Sequence, residues 1–289
     1  MFVNHGTPFT GDGLRPVMPK TILAGFMSCT PAKPLPEDLE TFIQESEHGV
    51  IFVSFGSVVM ASKMPEAKRR AMLAVFSRLK QRVIWKWEEP MEDAPSNVLV
   101  SSWLPQTSLL AHPRVKLFIT HGGAGSIQET VCHKTPIVGV PIGSDQFLNV
   151  AEVVGKGVGQ QVGWHGMTED SLHTAVTEVL GDSSYQEAVT RLRYSHPHNY
   201  KGTKQLLDVP SDLIMDQATH PLERAVWWLE YLLRHPHNPD MRPVTHGLHW
   251  TQFFLLDVLA VVLLAITVLG VIIVKLVRCC CCSRKRKQD

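Results

Sequence analysis

The sequence predicts an α/β domain built on a doubly wound parallel sheet, followed by a transmembrane helix near the C-terminus. Two observations predict the sheet. Strand-sized apolar runs alternate with segments of helical period, and those runs are nearly continuous, as in strands covered on both faces. A third predicts the membrane helix: from Val258 to Val274 (VLAVVLLAITVLGVIIV) there is no charge.

Val50-Ile51-Phe52-Val53-Ser54-Phe55 is the first strand, ending at Gly56-Ser57. Pro65 then opens EAKRRAMLAVFSRLK, whose Met72, Val75, Phe76 and Leu79 share one helical face. Strands RVIWKW (Arg82 to Trp87) and NVLVSSW (Asn97 to Trp103), a short helix QTSLLAH, the strand KLFIT and a helix from Ser126 come next. The strand PIVGVP (Pro136 to Pro141) and a helix near Asn149 complete the alternation. A later amphipathic helix, Pro221 to Leu233 (PLERAVWWLEYLL), carries a Trp-rich face that either packs on the domain or touches lipid.

The 289 residues, 44% hydrophobic, suffice for one sizeable core with a segment to spare, or for two small domains. A formal charge of +1 gives no polybasic signature, which argues against a nucleic-acid partner. Of six cysteines only Cys29 and Cys132 lie in the body of the chain, which is no disulfide framework, although it does not exclude an oxidising compartment. Two H-P-H-N stretches, His196 to Asn199 and His235 to Asn238, supply no three- or four-ligand metal set.

The C-terminal apolar stretch extends back to Phe253 and on to Val277, interrupted by Asp257 and Lys275. At about 1.5 Å per residue it crosses a hydrocarbon core of about 30 Å. Trp250 and Phe253-Phe254 suit the interfacial belt, and the basic cluster Arg284-Lys285-Arg286-Lys287 marks the far end as cytosolic. Cys279 to Cys282 at that boundary are either acylation sites or lipid-tolerant small residues. Lys285 and Lys287, fifth and third from the end, resemble the K-x-K-x-x retrieval signal of endoplasmic-reticulum membrane proteins. A stop-transfer flank explains the charges but not their placement. The N-terminal MFVNHGTPFTGDG has no apolar signal-peptide core. Either a longer precursor carries the signal, or the helix inserts tail-first.

Residues 117 to 129 (LFITHGGAGSIQE) are the densest local signal. Gly122, Gly123 and Gly125 let a ligand approach the backbone, and the next helix directs free N–H groups and its positive dipole end to the same place. This reads as an anion cradle. The alternative is an ordinary turn, with Ser126 and Glu129 forming only a capping box. In an open α/β sheet, ligands bind outside the carboxyl ends of the strands. Ser57, Trp103, His121 and Asp145 all follow such ends, which favours the cradle.

Trp103-Leu104-Pro105-Gln106, His121-Gly122-Gly123, Glu129, Pro141 and Asp145-Gln146 together reproduce the order and spacing of the signature of UDP-dependent glycosyltransferases. PVMPKTILAGF, VSFGS and THGLHWTQFFLLDV look most like the animal UDP-glucuronosyltransferases, a resemblance running from about Pro16 to the tail. It implies a GT-B fold of two Rossmann-like domains, of which this chain looks like the C-terminal, donor-binding one. By position, Trp103 would stack on uracil and Gln106 would lie beside the nucleoside. Ser57, His121 and the backbone from Gly122 through Gly123 to Ser126 would hold the diphosphate. Glu129 would accept from the ribose hydroxyls, and Asp145 and Gln146 would contact sugar hydroxyls. A core aromatic is the competing reading of Trp103, and Glu129 would also fit a cap.

The same resemblance divides the chain into a linker remnant (1–22), a UDP-sugar-binding domain (23–194), an atypical insertion (195–218), an amphipathic and juxtamembrane segment (219–252), the membrane helix (253–277) and a cytosolic tail (278–289). The insertion reads as a disordered surface loop or as a splice or gene-model error. Where many family members carry Asn, this chain has Gly125. No residue matches the family's catalytic histidine, which lies in the N-terminal half together with the acceptor pocket; His5 is no substitute. The resemblance therefore implies inverting transfer from UDP-glucuronate or another UDP-sugar to the hydroxyl of a small lipophilic acceptor in the endoplasmic reticulum. No cofactor is implied. The alternative is a noncatalytic membrane-anchored donor-binding or dimerising subunit that associates with complete family members.

Overall fold

The computed structural model describes residues 2–4, 21–24, 26–191, 193–196, 207–210, 219–236 and 247–285. Most of the expected linker at 1–22, the second H-P-H-N stretch beyond its first two residues and the last four residues lie outside them. The chain divides into two units, Phe2–Tyr231 and Leu232–Asp289 with Met1.

In the first unit a short parallel pair, β1 (Phe2–Asn4) with β2 (Thr21–Leu23), precedes helix α1 (Glu37–Gln44). The central sheet then runs β3 (Val50–Ser54), α2 (Glu66–Arg78), β4 (Arg82–Lys86), β5 (Val98–Ser101), α3 (Gln106–Leu110), β6 (Val115–Thr120), α4 (Ala124–His133), β7 (Ile137–Gly139), α5 (Gln146–Gly155) and β8 (Gly159–Gln161). Its six strands lie in the order β5-β4-β3-β6-β7-β8, every neighbouring pair parallel. The chain starts in the middle, winds outward through β4 and β5, then crosses back to β6 and winds the other way. This is the doubly wound order, and its switch point lies between β3 and β6.

Period-two alternation sorts the strand residues into two cores. Ile51, Val53, Val83, Trp85, Leu117 and Ile119 point to one face, against Met72, Val75 and Phe76 of α2 and Leu172 and Val176 of α6 (Glu169–Gly181). Val50, Phe52, Ile84, Phe118 and Ile137 point to the other, against α1, α3, α4 and α5 and against Val189 of α7 (Ser183–Arg191). On that second face the rings of Phe52 and Phe118 stack at 5.0 Å across β3 and β6, pinning the switch strands together. The nearly continuous apolar runs are the direct result of covering both faces.

Helices α1, α6 and α7 and strand β8 were not among the elements read from periodicity. Strand β8 (GQQ) has no apolar run because it is the sheet's edge, half-exposed and paired only with β7. Residues 193–196 (β9) and 207–210 (β10) pair antiparallel, so part of the segment read as an inserted loop at 195–218 is a strand pair. The rest of the insertion lies outside the described residues. The cysteine reading also needs correction: Cys29 and Cys132 are joined as a disulfide, their Cα atoms 5.9 Å apart across 103 residues of sequence. Sequence spacing carries no trace of a contact that only the tertiary fold creates.

Helix α8 (Pro221–Arg234) buries Pro221 and Ala225 and leaves Leu222, Val226, Trp227 and Leu229 exposed. In the second unit a short helix α9 (Trp250–Phe253) is capped by His249, and Leu255, at φ 55°, breaks it from α10 (Leu256–Lys285). Residues Leu256–Lys275 are long and apolar enough to cross a membrane and wholly unburied by protein. The helical span therefore starts three residues after the Phe253 read from hydropathy, because the chain turns at Phe254-Leu255 first.

Candidate functional site

At the switch point the sheet opens into a cleft of about 600 Å³. Ser54 ends β3 and Thr120 ends β6 in direct register, so the loops that follow them form adjacent walls. Ser57, Trp103, Gln106, His121, Gly123, Ser126 and Glu129 line it. Seven of the ten residues selected from sequence thus meet in one place.

The glycine turn is more specific than the sequence suggested. Gly122 sits at φ +84°, and a Cβ there would lie 2.3 Å from Val150 Cγ2. Gly56 and Gly123 flank the His121 ring, and a Cβ on either would lie 2.8 Å from it. Close packing inside the protein therefore accounts for three of these glycines. Gly125 is the one whose open side meets only Ser28 Oγ, at 3.3 Å. Helix α4 starts at Ala124 with Gly123 as its N-cap and no side-chain cap bond, so Ser126 is already in the first turn. This overturns the capping-box reading of Ser126 and Glu129. With Ile127 N–H bonded to the Gly123 carbonyl, the N–H groups of Ala124, Gly125 and Ser126 are left without an acceptor among the described residues, at the cleft.

Glu129 is 9% exposed, and each of its oxygens is held from α3: Thr107 Oγ1 donates to Oε1 and Gln106 Nε2 to Oε2, both at 2.5 Å. Gln106 Nε2 also donates to Ser126 Oγ at 3.1 Å. Both amide hydrogens are engaged, so the group Gln106 can present to a ligand is its carbonyl oxygen, an acceptor. Burial raises the Glu129 carboxyl above its usual range, opposed by the Thr107 and Gln106 bonds. Trp103 is 76% exposed, which removes the core-aromatic reading and leaves a flat ring on the wall of the same cleft as the carboxylate.

Gly122, Asp145 and Gln146 are not among the cleft's lining residues. Asp145 accepts from Asn149 Nδ2 at 2.8 Å, and the same amide donates to the Gly122 carbonyl at 3.0 Å, so this chain braces the glycine turn against α5. Gln146 Oε1 accepts from the N–H groups of Ile142 and Gly143, holding the loop after β7.

The cleft also holds residues that sequence reasoning missed: Thr30, Lys33, Lys86 and Thr107. Lys86 ends β4 and pairs with Glu88 at 2.8 Å, both side chains largely buried. Its position at a strand's carboxyl end was the available signal. Thr30 and Lys33 precede the first strand of the sheet, and only tertiary folding brings them there.

His121 is 9% exposed, and its Nδ1 has no hydrogen-bond partner among the described residues. Burial pushes its pKa below the ordinary 6.5, against an upward pull from Asp145, and burial does the same to His133. Both rings are neutral at pH 7, so His121 can offer a phosphate a hydrogen bond rather than a charge. Below about 6.5 the unfolded chain binds protons that the folded chain refuses, so stability falls as pH falls from there towards the lowered folded values. Urea unfolding between pH 7.5 and 5.5 should show this loss, and His133→Phe should reduce its slope without touching the cleft. The raised Glu129 carboxyl pulls the other way in both proteins, so the difference between them is the readout, and identical slopes would contradict the His133 contribution.

A family model described as "UDP-glucoronosyl and UDP-glucosyl transferase" matches residues 9–288. UDP-glucuronosyltransferase 2A3 of Mus musculus is 37% identical over 263 residues, covering 90% of this chain and 46% of that protein. UDP-glucosyltransferase 2 of Dactylopius coccus is 36% identical over 263 residues, 91% of this chain and 47% of that one. The chain thus spans about half the length of the curated relatives it matches. Among solved structures, spinosyn forosaminyltransferase SpnP aligns with a TM-score of 0.53 at 17% identity, over 74% of this chain and 50% of that one. The calicheamicin glycosyltransferase CalG4 aligns with a TM-score of 0.51 at 20% identity, over 75% and 48%. These two likenesses speak for the fold alone. With a parallel six-stranded sheet of GT-B type and a family model matched along nearly its whole length, the chain belongs to the family of UDP-glucuronosyl and UDP-glucosyl transferases.

Proposed function

We propose that the switch-point cleft binds the UDP moiety of a UDP-sugar, and that the chain supplies the donor-binding half of a glycosyltransferase, with UDP-glucuronate as donor. One observation carries the reading: an exposed indole, a buried carboxylate and the free N–H groups of a ten-residue helix converge on a single cleft. Each suits one part of the nucleotide. Trp103 offers a stacking face and the Gln106 carbonyl an acceptor for a base; Glu129 keeps lone pairs for ribose hydroxyls. The start of α4, the His121 ring and Lys86 favour the diphosphate.

Transfer itself needs an acceptor hydroxyl deprotonated by a base within hydrogen-bond reach and aimed at the anomeric carbon from the side opposite UDP, which inverts that centre. In this reading the base and a pocket for a small lipophilic acceptor come from the half that the relatives have and this chain does not span. Val58, Met60 and Trp103 on loops after the strand ends, and Phe147 and Leu148 in the first turn of α5, stand exposed, an apolar rim that such a half would cover. The chain's contribution to catalysis is then to hold the leaving diphosphate and stabilise its growing charge. Asp145 and Gln146 reach sugar hydroxyls only if the loop after β7 shifts towards the cleft. The membrane helix and the basic residues after it support an endoplasmic-reticulum protein with a lumenal body and a cytosolic tail.

Calorimetric titration of the full chain in detergent with UDP, UDP-glucuronate and UDP-glucose tests this. Saturable UDP binding with little or no transfer to phenolic acceptors by the chain alone is expected. No UDP binding by folded protein would sink the donor reading. The second reading is a noncatalytic membrane-anchored donor-binding or dimerising subunit acting with complete family members. Co-expression with such a member separates the two: a change in that member's activity supports the subunit.

A further inference from the structure

The segment from Phe26 to Lys33 forms no helix or strand, yet it is fixed at several points. Phe26 and Cys29 are buried in the core, and the disulfide joins Cys29 to Cys132 in the last turns of α4. Ser28 N–H donates to Gln128 Oε1 at 3.1 Å, and Lys33 N–H to Ser108 Oγ at 3.0 Å. His220, just before α8, places Nε2 2.6 Å from the Cys29 carbonyl, and Arg224 of α8 donates to the Ala24 carbonyl. From this strap Thr30, Pro31 and Lys33 line the cleft, and Ser28 lies against Gly125 in the first turn of α4. One helix thus presents its free N–H groups to the cleft at one end and holds the strap covalently near the other.

We propose that the Cys29–Cys132 disulfide is a redox-sensitive positioning element of the donor cleft: it holds the strap as a wall beside the start of α4, and its reduction releases that wall. The ligand part of the inference rests on the donor-cleft reading above; the release of the wall is measurable without ligand. A dithiol reductant opens the bridge in two exchanges. Its thiolate displaces one cysteine sulfur as a thiolate and forms a mixed disulfide, and its second thiol closes the reagent's own ring and displaces the other. Cys29 and Cys132 end as thiols, and the reagent has supplied two electrons.

The test uses the full chain in detergent, native and treated with dithiothreitol. Alkylation followed by peptide mass spectrometry should leave Cys29 and Cys132 unmodified until reductant is added, whereas both becoming alkylated in the folded, untreated chain would overturn the proposal. Amide exchange should quicken about tenfold at Ser28 and Cys29 on reduction while β3 and β6 keep their protection. Unchanged exchange there overturns the clamp whatever UDP does. UDP affinity should fall about three- to tenfold in the reduced chain, and equal affinity with a loosened strap would separate the wall from the donor site and overturn that part. If reduction unfolds the whole chain, Cys29→Ala/Cys132→Val, which refills the contact with apolar groups, takes its place in the same two measurements. Failure of the oxidised chain to bind UDP fails the donor reading, and exchange then decides the clamp alone.

Discussion

Trp103→Ala should weaken UDP binding by about 1–3 kcal/mol, roughly 5- to 150-fold, and leave the thermal midpoint of the chain unchanged. The separation of the two effects follows from exposure. At 76% exposed, the indole buries too little apolar surface for its removal to open a cavity in the core. It stands next to the loop that starts α3, within one cleft with Glu129, where a base stacked on it would leave the ribose facing the carboxylate. Calorimetry with UDP, beside differential scanning of the same proteins, reads both quantities, and Trp103→Phe should keep part of the affinity. Equal affinity in the alanine variant would show that the ring is not a base platform. A lowered midpoint would show that it supports the fold.

The largest effect on stability should come from Gly122→Ala, about 2–5 kcal/mol. Two costs add. The backbone there is at φ +84°, where an L side chain costs about 1–2 kcal/mol, and the new Cβ would meet Val150 Cγ2 at 2.3 Å, an overpacking of about 1–3 kcal/mol. The Gly122 carbonyl is also the acceptor that Asn149 uses to hold the turn, so displacement should reach His121 and the start of α4. Denaturant unfolding of Gly122→Ala, Val150→Ala and the double variant checks the division of costs. Only the overpacking should be relieved by Val150→Ala, so the double variant should be less destabilised than the sum of the singles. Strict additivity would mean that the turn moves away from α5 instead of pressing on it.

What the sequence made legible is what local physics decides. Parallel strands covered on both faces announce themselves as apolar runs, and the residues that end them, Ser57, Trp103 and His121, could be placed at one edge without coordinates. What it hid was set by distance along the chain or by direction in space. Cys29 and Cys132 meet across 103 residues, and no spacing rule links them. Thr30 and Lys33 reach the cleft from before the first strand of the sheet. Asp145 was placed at the correct edge, but chain order could not say that its carboxylate braces Asn149 rather than lining the cleft. Glycines 122 and 123 were legible as a backbone stripped of side chains. The cause was not, since Val150 and the His121 ring are remote or turned neighbours that only the fold supplies.

His121 lies between Gly56 and Gly123, with no space on either side for one more carbon. Three positions on two loops are therefore linked through the ring: its width limits the other two, and the backbone at Gly56, at φ +80°, favours glycine on its own account as well. A lineage that exchanged the imidazole for a smaller side chain would at once gain space at 123, whereas position 56, at φ +80°, would still strain any side chain, and one that acquired alanine at 123 would have to shrink or turn the ring first. Change at these positions should come in company, in an order the geometry prescribes, with the ring yielding before the glycines.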